Sequence, residues 1–125
     1  MMSAAQKTSR IMLIDDEPGV IFALKLMLEA LGAEVNTFSE GLSALEALKI
    51  DSAYDFILCD LRMPEIDGFA VLKAVKNIYP SLYFILISGH ASNEDILKAE
   101  ALGMDRFLAK PFSGEEITAL INETK

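Results

Sequence analysis

Short apolar segments alternate along the chain with segments whose apolar residues recur at helical spacing. Ile11–Ile14, Phe56–Cys59 and Leu82–Ile87 are unbroken apolar runs, a pattern typical of strands that are buried on both faces. Glu34–Phe38 alternates polar and apolar residues, as a half-exposed strand does, and Arg106–Ala109 is a last short, mainly apolar stretch. These patterns predict five strands.

Capping and terminating residues mark the helices that we expect after the strands. Pro18 fits the first turn of the first helix, and Gly32 is placed to end it. Ser113 and Glu116 match the capping box, in which the two side chains satisfy free N–H groups at a helix start. Ser92–Asp95 offers similar caps for the preceding helix. Helical periodicity covers Val20–Leu31, Leu42–Leu48, Phe69–Val75, the residues from Ser92 to Leu102, and the residues after Ser113.

The regular alternation of strands and helices predicts an α/β fold, in which a parallel sheet is covered by helices on both faces. The second and fifth strands are the least hydrophobic or the shortest, so we expect them at the sheet edges. The doubly wound strand order 2-1-3-4-5 places them there. The predicted architecture is a (βα)5 three-layer sandwich over residues 10–125, and residues 1–9 are expected to be disordered or frayed.

Composition narrows the classes of partner. The chain has 125 residues, which fits one domain, and its 11 Lys and Arg against 19 Asp and Glu give a formal net charge of −8. Nucleic acid and anionic lipid both bind clustered Lys and Arg, so this charge argues against both. Cys59 alone cannot support a disulfide framework. No apolar run approaches the roughly 18 residues of a membrane span, and we expect a cytoplasmic protein.

The predicted carboxyl ends of the strands collect the residues that can carry chemistry. Asp15–Glu17 follows the first strand and Asp60 the third, while Ser88 and Lys110 follow the fourth and fifth. Ligands of this fold bind at these ends, beside the point where the strand order reverses. Clustered carboxylates favour a hard cation such as Mg²⁺, Ca²⁺ or Mn²⁺, and a carboxylate that is not fully committed to the metal can attack phosphorus. The residues therefore predict an aspartate that is reversibly phosphorylated with Mg²⁺.

Four segments together resemble a known family. Ile14–Pro18, Cys59–Gly68, Ile87–His90 and Ala109–Phe112 look like the motif set of response-regulator receiver domains, the CheY-like superfamily of two-component signalling. The resemblance runs from about Arg10 to the end of the chain, and it lies in the identity, order and spacing of the motifs. It implies a flavodoxin-like or CheY-like fold and a signalling phosphoacceptor rather than an enzyme, although such domains assist their own phosphorylation and dephosphorylation.

The resemblance also implies a role for each matching residue at the acidic pocket. Asp60 matches the phosphoacceptor. Asp16 matches the residue that binds Mg²⁺ directly, and Asp15 matches the one that helps through water. The backbone carbonyl of Arg62 matches a further ligand of the metal.

A second set of matching residues is implied to transmit the signal. Ser88 matches the hydroxyl that moves to the phosphoryl group, and Phe107 matches the aromatic switch residue, here without the hydroxyl of the tyrosine often found there. Lys110 matches the lysine that contacts the phosphate, and its bond to Pro111 is expected to be cis. The implied partners are a sensor histidine kinase or a phosphotransfer protein. The surface formed by the fourth helix, fifth strand and fifth helix is implied to bind an effector or a second copy.

Three alternatives remain open from the residues. A flavodoxin-like FMN carrier has the same sheet order, but Asp15–Glu17 would repel the FMN phosphate when no metal is bound. A Mg²⁺-dependent phosphohydrolase with an aspartyl nucleophile, of the haloacid-dehalogenase type, needs a second Asp two positions after the first, where this chain has Arg62. A receiver-like scaffold that is never phosphorylated would keep the fold alone.

Overall fold

The structure is a computed structural model that describes residues 8–123. Its strands and helices alternate throughout, as the periodicity predicts. The elements are β1 (Arg10–Ile14), α1 (Pro18–Ala30), β2 (Glu34–Phe38), α2 (Gly41–Ile50), β3 (Phe56–Asp60), α3 (Gly68–Ile78), β4 (Tyr83–Ser88), α4 (Asn93–Ala101), β5 (Arg106–Ala109) and α5 (Gly114–Glu123).

The five strands form one sheet of order β2-β1-β3-β4-β5, and every pairing is parallel. This confirms the predicted doubly wound α/β fold, with β2 and β5 at the edges. Alternate strand residues face opposite layers, because side chains in a strand point to the two faces in turn. Met12, Ile57 and Leu86 pack with α2 and α3 on one face, whereas Ile11, Leu58 and Ile85 pack with α1 and α5 on the other.

Several boundaries differ from the predicted ones by a few residues, and two of them lie at the turn between α3 and β4. α3 continues to Ile78, three residues beyond the predicted Val75, and β4 begins at Tyr83 rather than Leu82. Leu82 donates its N–H to the carbonyl of Tyr79 in a turn, 3.0 Å away, so it is not yet part of the strand ladder. Lys76 holds the same turn through the carbonyl of Leu82, 2.7 Å from its Nζ.

Both predicted capping sites are present. The Ser92 Oγ accepts from the Asp95 N–H at 3.1 Å, and the Asp95 carboxylate accepts from the Ser92 N–H at 3.0 Å. Ser113 and Glu116 make the equivalent pair of bonds before α5. These bonds satisfy N–H groups that have no partner within the helix, so they fix where α4 and α5 begin.

The expectation for residues 1–9 falls mostly outside the described part of the chain. Within it, Ser9 is buried and its carbonyl accepts from the Glu34 N–H at 2.8 Å. The division into residues 1–9 and 10–125 stays a prediction. No helix between residues 8 and 123 is long and apolar enough to cross a membrane.

Candidate functional site

The carboxyl ends of four strands meet at one edge of the sheet. Asp15 directly follows β1, Asp60 ends β3, Ser88 ends β4, and Lys110 directly follows β5. β1 and β3 are neighbours although β2 lies between them in the chain, so this edge is where the strand order reverses. The structure thus brings together the residues that the sequence places at the strand ends.

The ammonium group of Lys110 lies between carboxylates. Its Nζ is 3.1 Å from Asp15 Oδ2, 3.3 Å from Asp60 Oδ1 and 3.9 Å from Glu17 Oε1. Asp15 has no exposed surface and Asp60 is 5% exposed. Buried carboxylates need a cation or hydrogen-bond donors, and here the ammonium group of Lys110 is the cation that Asp15 and Asp60 share.

Asp15, Asp16 and Asp60 form a cluster that could hold a metal ion. Each offers a carboxylate oxygen, and these oxygens all lie within 4.8 Å of one another. Such an all-oxygen donor set fits a hard divalent cation and does not fit zinc, which prefers nitrogen and sulfur ligands. Asp15 is also oriented by the Glu17 N–H, which donates to its Oδ1 at 3.0 Å.

The electrostatics of the site oppose a fully ionised acidic cluster. Burial raises the pKa of Asp60, and repulsion from Asp15 raises it further, although Lys110 counteracts both. Burial alone would lower the pKa of Lys110, but the hydrogen bond and charge of Asp15, together with those of Asp60, raise it overall. The site therefore favours the charged form of Lys110 and makes ionisation of Asp60 less favourable than it is in water.

Ser88 connects the site to the neighbouring loops. The Ser88 side chain is buried, its Oγ accepts from the His90 N–H at 3.1 Å, and its carbonyl accepts from the Lys110 N–H at 2.9 Å. A Cβ placed on Gly89 would find Lys110 Cβ at 3.8 Å and nothing closer, so the space beside Ser88 is open.

Gly68 has a role at the site that sequence reasoning missed. A Cβ at this position would lie 2.6 Å from the Asp60 carbonyl oxygen and 2.8 Å from Leu61 Cα. The Gly68 N–H donates to the Leu61 carbonyl at 2.8 Å, which draws the start of α3 against the end of β3. The sequence placed Gly68 at the end of the segment Cys59–Gly68 that resembles a family motif, but it assigned Gly68 no role of its own.

The remaining predicted site residues occupy the following positions. The Arg62 guanidinium points to α4, where it donates to Asp95 Oδ2 at 2.8 Å, and the role of its carbonyl as a metal ligand stays a prediction. Phe107 is partly buried against the layer of α2 and α3, and its switching role also stays a prediction. The Lys110–Pro111 peptide bond is cis, as expected.

Residues 11–122 match the family model described as the response regulator receiver domain. The chain belongs to this family, the CheY-like receiver domains of two-component systems, and it is a signalling domain of that class. This confirms the family that the four sequence motifs resemble.

Relatives and solved structures agree with the family. The chain is 34% identical over 108 residues to the DNA-binding transcriptional regulator NtrC of Escherichia coli (strain K12), covering 86% of this chain and 23% of that protein. It is 29% identical over 114 residues to the response regulator SaeR of Staphylococcus epidermidis, covering 91% of this chain and 49% of that protein. The chain therefore spans about a quarter to a half of these relatives.

Two receiver-domain crystal structures are closely similar in fold. The receiver domain protein from Clostridium thermocellum has a TM-score of 0.88 at 28% identity, with 93% of each chain covered. The receiver domain of the sensor histidine kinase PA1611 from Pseudomonas aeruginosa PAO1 has a TM-score of 0.84 at 26% identity, with 94% of this chain and 97% of that one covered. The second comes from a sensor kinase, so this architecture also occurs in receiver domains outside the transcriptional regulators.

Proposed function

We propose that this domain accepts a phosphoryl group on Asp60 in a Mg²⁺-dependent reaction and thereby acts as a switch in a phosphorelay. The observation that carries this proposal is the position of Asp60, a nearly buried carboxylate 3.3 Å from the Lys110 ammonium and beside two further carboxylates. Family membership supplies the context, since receiver domains are the phosphoacceptors of two-component signalling.

The reaction needs a nucleophile and positive charge around the transferred group. An Asp60 carboxylate oxygen forms a bond to phosphorus while the bond between phosphorus and the donor breaks, and the bonding electrons leave with the donor. If the donor is a phosphohistidine, the released imidazole takes up a proton. Lys110 is placed to contact the phosphoryl oxygens, and the Ser88 hydroxyl lies on the next strand end. Fixed positive charge around the phosphoryl group lowers the barrier to its transfer, because it stabilises the negative charge that spreads over the phosphoryl oxygens in the transition state.

We propose Asp15, Asp16, Asp60 and the Arg62 carbonyl as the residues that hold Mg²⁺, with Mn²⁺ as a substitute. A bound ion supplies the positive charge that neutralises the clustered carboxylates and the incoming phosphoryl group. Two observations support this choice: the all-oxygen donor set within 4.8 Å, and the related PA1611 receiver structure, which has a magnesium ion coordinated in its active site cleft.

The proposed phosphodonor is a sensor histidine kinase or a phosphotransfer protein. A groove of about 660 Å³ lies beside Lys110, between α1 and the segment that follows β5, and its walls are largely apolar. An apolar wall next to a charged site suits a protein donor, which buries apolar surface while it presents its phosphoryl group. The apolar side chains that line this groove include Val20, Leu24, Met27, Pro111 and Phe112. The cytoplasm is the compartment in which we expect this exchange.

The proposed output surface is α4-β5-α5. Ser88 ends β4 beside the phosphoacceptor, and Phe107 lies on the adjacent β5, opposite Leu86 in the sheet register. Movement of the Ser88 hydroxyl toward a phosphoryl group would open space for Phe107 and shift a pre-existing equilibrium of the surface. An effector or a second copy of the domain would bind preferentially to the shifted conformation of this surface. NtrC and SaeR are much longer than this chain, so an output carried by another segment or chain is consistent with the relatives.

The phosphohydrolase alternative is less well supported by the site. A hydrolase of the haloacid-dehalogenase type places a second carboxylate two residues after the nucleophile as a general acid. Here that residue is Arg62, and its guanidinium is bonded to Asp95. A scaffold without phosphorylation remains the alternative that experiment must exclude.

The proposal is tested by incubating the protein with acetyl phosphate and measuring its intact mass. We expect one phosphoryl adduct in the presence of Mg²⁺ and none after chelation with EDTA, and peptide mapping should place the adduct on Asp60. Continuous release of phosphate from many phosphate esters would instead support the hydrolase. An unmodified protein with acetyl phosphate and with purified phosphohistidine donors would contradict the proposal.

Mg²⁺ is expected to raise the thermal stability of the domain. A ligand that binds only the folded state stabilises it in proportion to the logarithm of its concentration, by about 2.7 kcal/mol at one hundred times its dissociation constant. Differential scanning calorimetry should therefore show a rising Tm with added Mg²⁺. Asp16→Asn should weaken the effect, while Asp67→Asn, at the cap of α3, should leave it unchanged. A Tm independent of Mg²⁺ in the unaltered protein would exclude the metal site.

A further inference from the structure

Arg62 joins the phosphoacceptor loop to the first turn of α4. Its guanidinium Nη2 donates to Asp95 Oδ2 at 2.8 Å, and this carboxylate also accepts from the Ser92 N–H in the capping box of α4. Arg62 is two residues after Asp60. Asp95 Oδ2 therefore accepts hydrogen bonds both from the Ser92 N–H of the helix cap and from Arg62, the arginine closest in sequence to the phosphoacceptor.

α4 depends on such polar contacts more than the other helices do. Ala99 is its one fully buried residue, and Leu97 is 64% exposed. Its second charged attachment is Lys98, whose Nζ lies 4.3 Å from the ring centre of Phe69 on α3. A helix that buries little apolar surface gains little from packing, so its position responds to the loss of one polar contact.

Phosphorylation would change the charge balance beside Arg62. With Mg²⁺ bound, the three clustered carboxylates are matched by the ion and by Lys110. An acyl phosphate replaces the single negative charge of Asp60 with about two, which leaves one negative charge unmatched. A guanidinium is the side chain best shaped to bind phosphoryl oxygens in pairs, and that of Arg62 is 58% exposed and therefore free of close packing.

We propose that Arg62 exchanges one charged partner for another: its guanidinium leaves Asp95 and binds the phosphoryl group when Asp60 is phosphorylated. This charge exchange loosens the first turn of α4. This inference rests on the proposed phosphorylation of Asp60 and names how that site reaches its output surface. Asp95 and the phosphoryl group compete for one cation. Because the two equilibria are linked, a change that weakens the bond between Arg62 and Asp95 must strengthen the binding of the phosphoryl group by the same factor.

Beryllium fluoride, a stable mimic of a phosphoryl group on aspartate, is the probe for the test, with saturating Mg²⁺ and isothermal titration calorimetry as the readout. Asp95→Asn keeps an oxygen to accept the Ser92 N–H but loses the charge that holds Arg62. It should bind the probe about two- to fivefold more tightly, the range of an exposed ion pair. Arg62→Gln should bind about tenfold more weakly. In the Arg62→Gln background, Asp95→Asn should have no further effect.

The control variant is Glu94→Gln, which removes the same charge from the same turn of α4 without removing the Arg62 partner. Its affinity for the probe should equal that of the unaltered protein. Hydrogen exchange provides a second readout. The amides of the first turn of α4 should exchange faster when the probe binds the unaltered protein, but not when it binds Arg62→Gln.

The outcomes separate this inference from the proposed function. No binding of the probe to the unaltered protein would contradict both. Tight binding with equal affinities in all variants would leave the phosphorylation proposal standing and overturn the charge exchange. Tightening by Glu94→Gln to the extent of Asp95→Asn would also overturn it, because a general charge effect would then explain the data.

Discussion

Asp60→Asn is expected to abolish the phosphoryl adduct and, at the same time, to stabilise the metal-free domain. The first effect follows because the amide oxygen of Asn is a very weak nucleophile. The second follows because burial and the charge of Asp15 raise the pKa of Asp60 in the folded state. A carboxyl group with a raised folded pKa destabilises the fold at any pH at which it is ionised, so an uncharged group removes that penalty.

Two measurements check this expectation. Intact mass after treatment with acetyl phosphate and Mg²⁺ should show no adduct, and calorimetry in EDTA should show a Tm higher than that of the unaltered protein. Asp67→Asn is the matched control, since it neutralises a carboxylate of the same loop that caps α3 through the Ala70 N–H. It should be phosphorylated normally. An adduct on Asp60→Asn would mean that another residue is the phosphoacceptor.

Gly68→Ala is expected to destabilise the fold by about 3 kcal/mol, at the upper end for overpacking. The new methyl group would meet the Asp60 carbonyl oxygen at 2.6 Å and Leu61 Cα at 2.8 Å. Both are backbone atoms of the phosphoacceptor segment, which cannot rotate away as a side chain can. The end of β3 and the start of α3 must then separate, so phosphorylation of Asp60 should slow as well.

Denaturant unfolding of Gly68→Ala beside two other glycine variants tests the cause. Gly41→Ala also creates close contacts, 2.7 Å to atoms of Ile66 and Val71, but these belong to side chains that can shift. Gly41→Ala should therefore lower the free energy of unfolding by less than Gly68→Ala does. Gly19→Ala in α1 meets nothing within 4 Å and should stabilise the protein by up to about 1 kcal/mol, because alanine favours the helix. The explanation fails if Gly68→Ala is no more destabilising than Gly41→Ala.

The residues of the site differ in how far the sequence predicts them. The strand-end positions of Asp15, Asp60, Ser88 and Lys110 were predictable, because each ends or follows a segment with clear periodicity and parallel strands present their carboxyl ends at one edge. The fit of Gly68 against Asp60 was not predictable in the same way. A glycine at the start of a helix has many uses, and only the approach of two backbone segments shows which one applies.

The sequence by itself determined the alternation of elements, the parallel sheet, its edge strands, both capping boxes and the acidic strand ends. These features depend on periodicity and on contacts within a few residues. The tertiary structure decided that Lys110 is shared by Asp15 and Asp60, although Lys110 and Asp15 are 95 positions apart, and that Arg62 is bonded to Asp95 across 33 positions. Contacts at such separations depend on the packed positions of several strands and helices, and no local pattern encodes them.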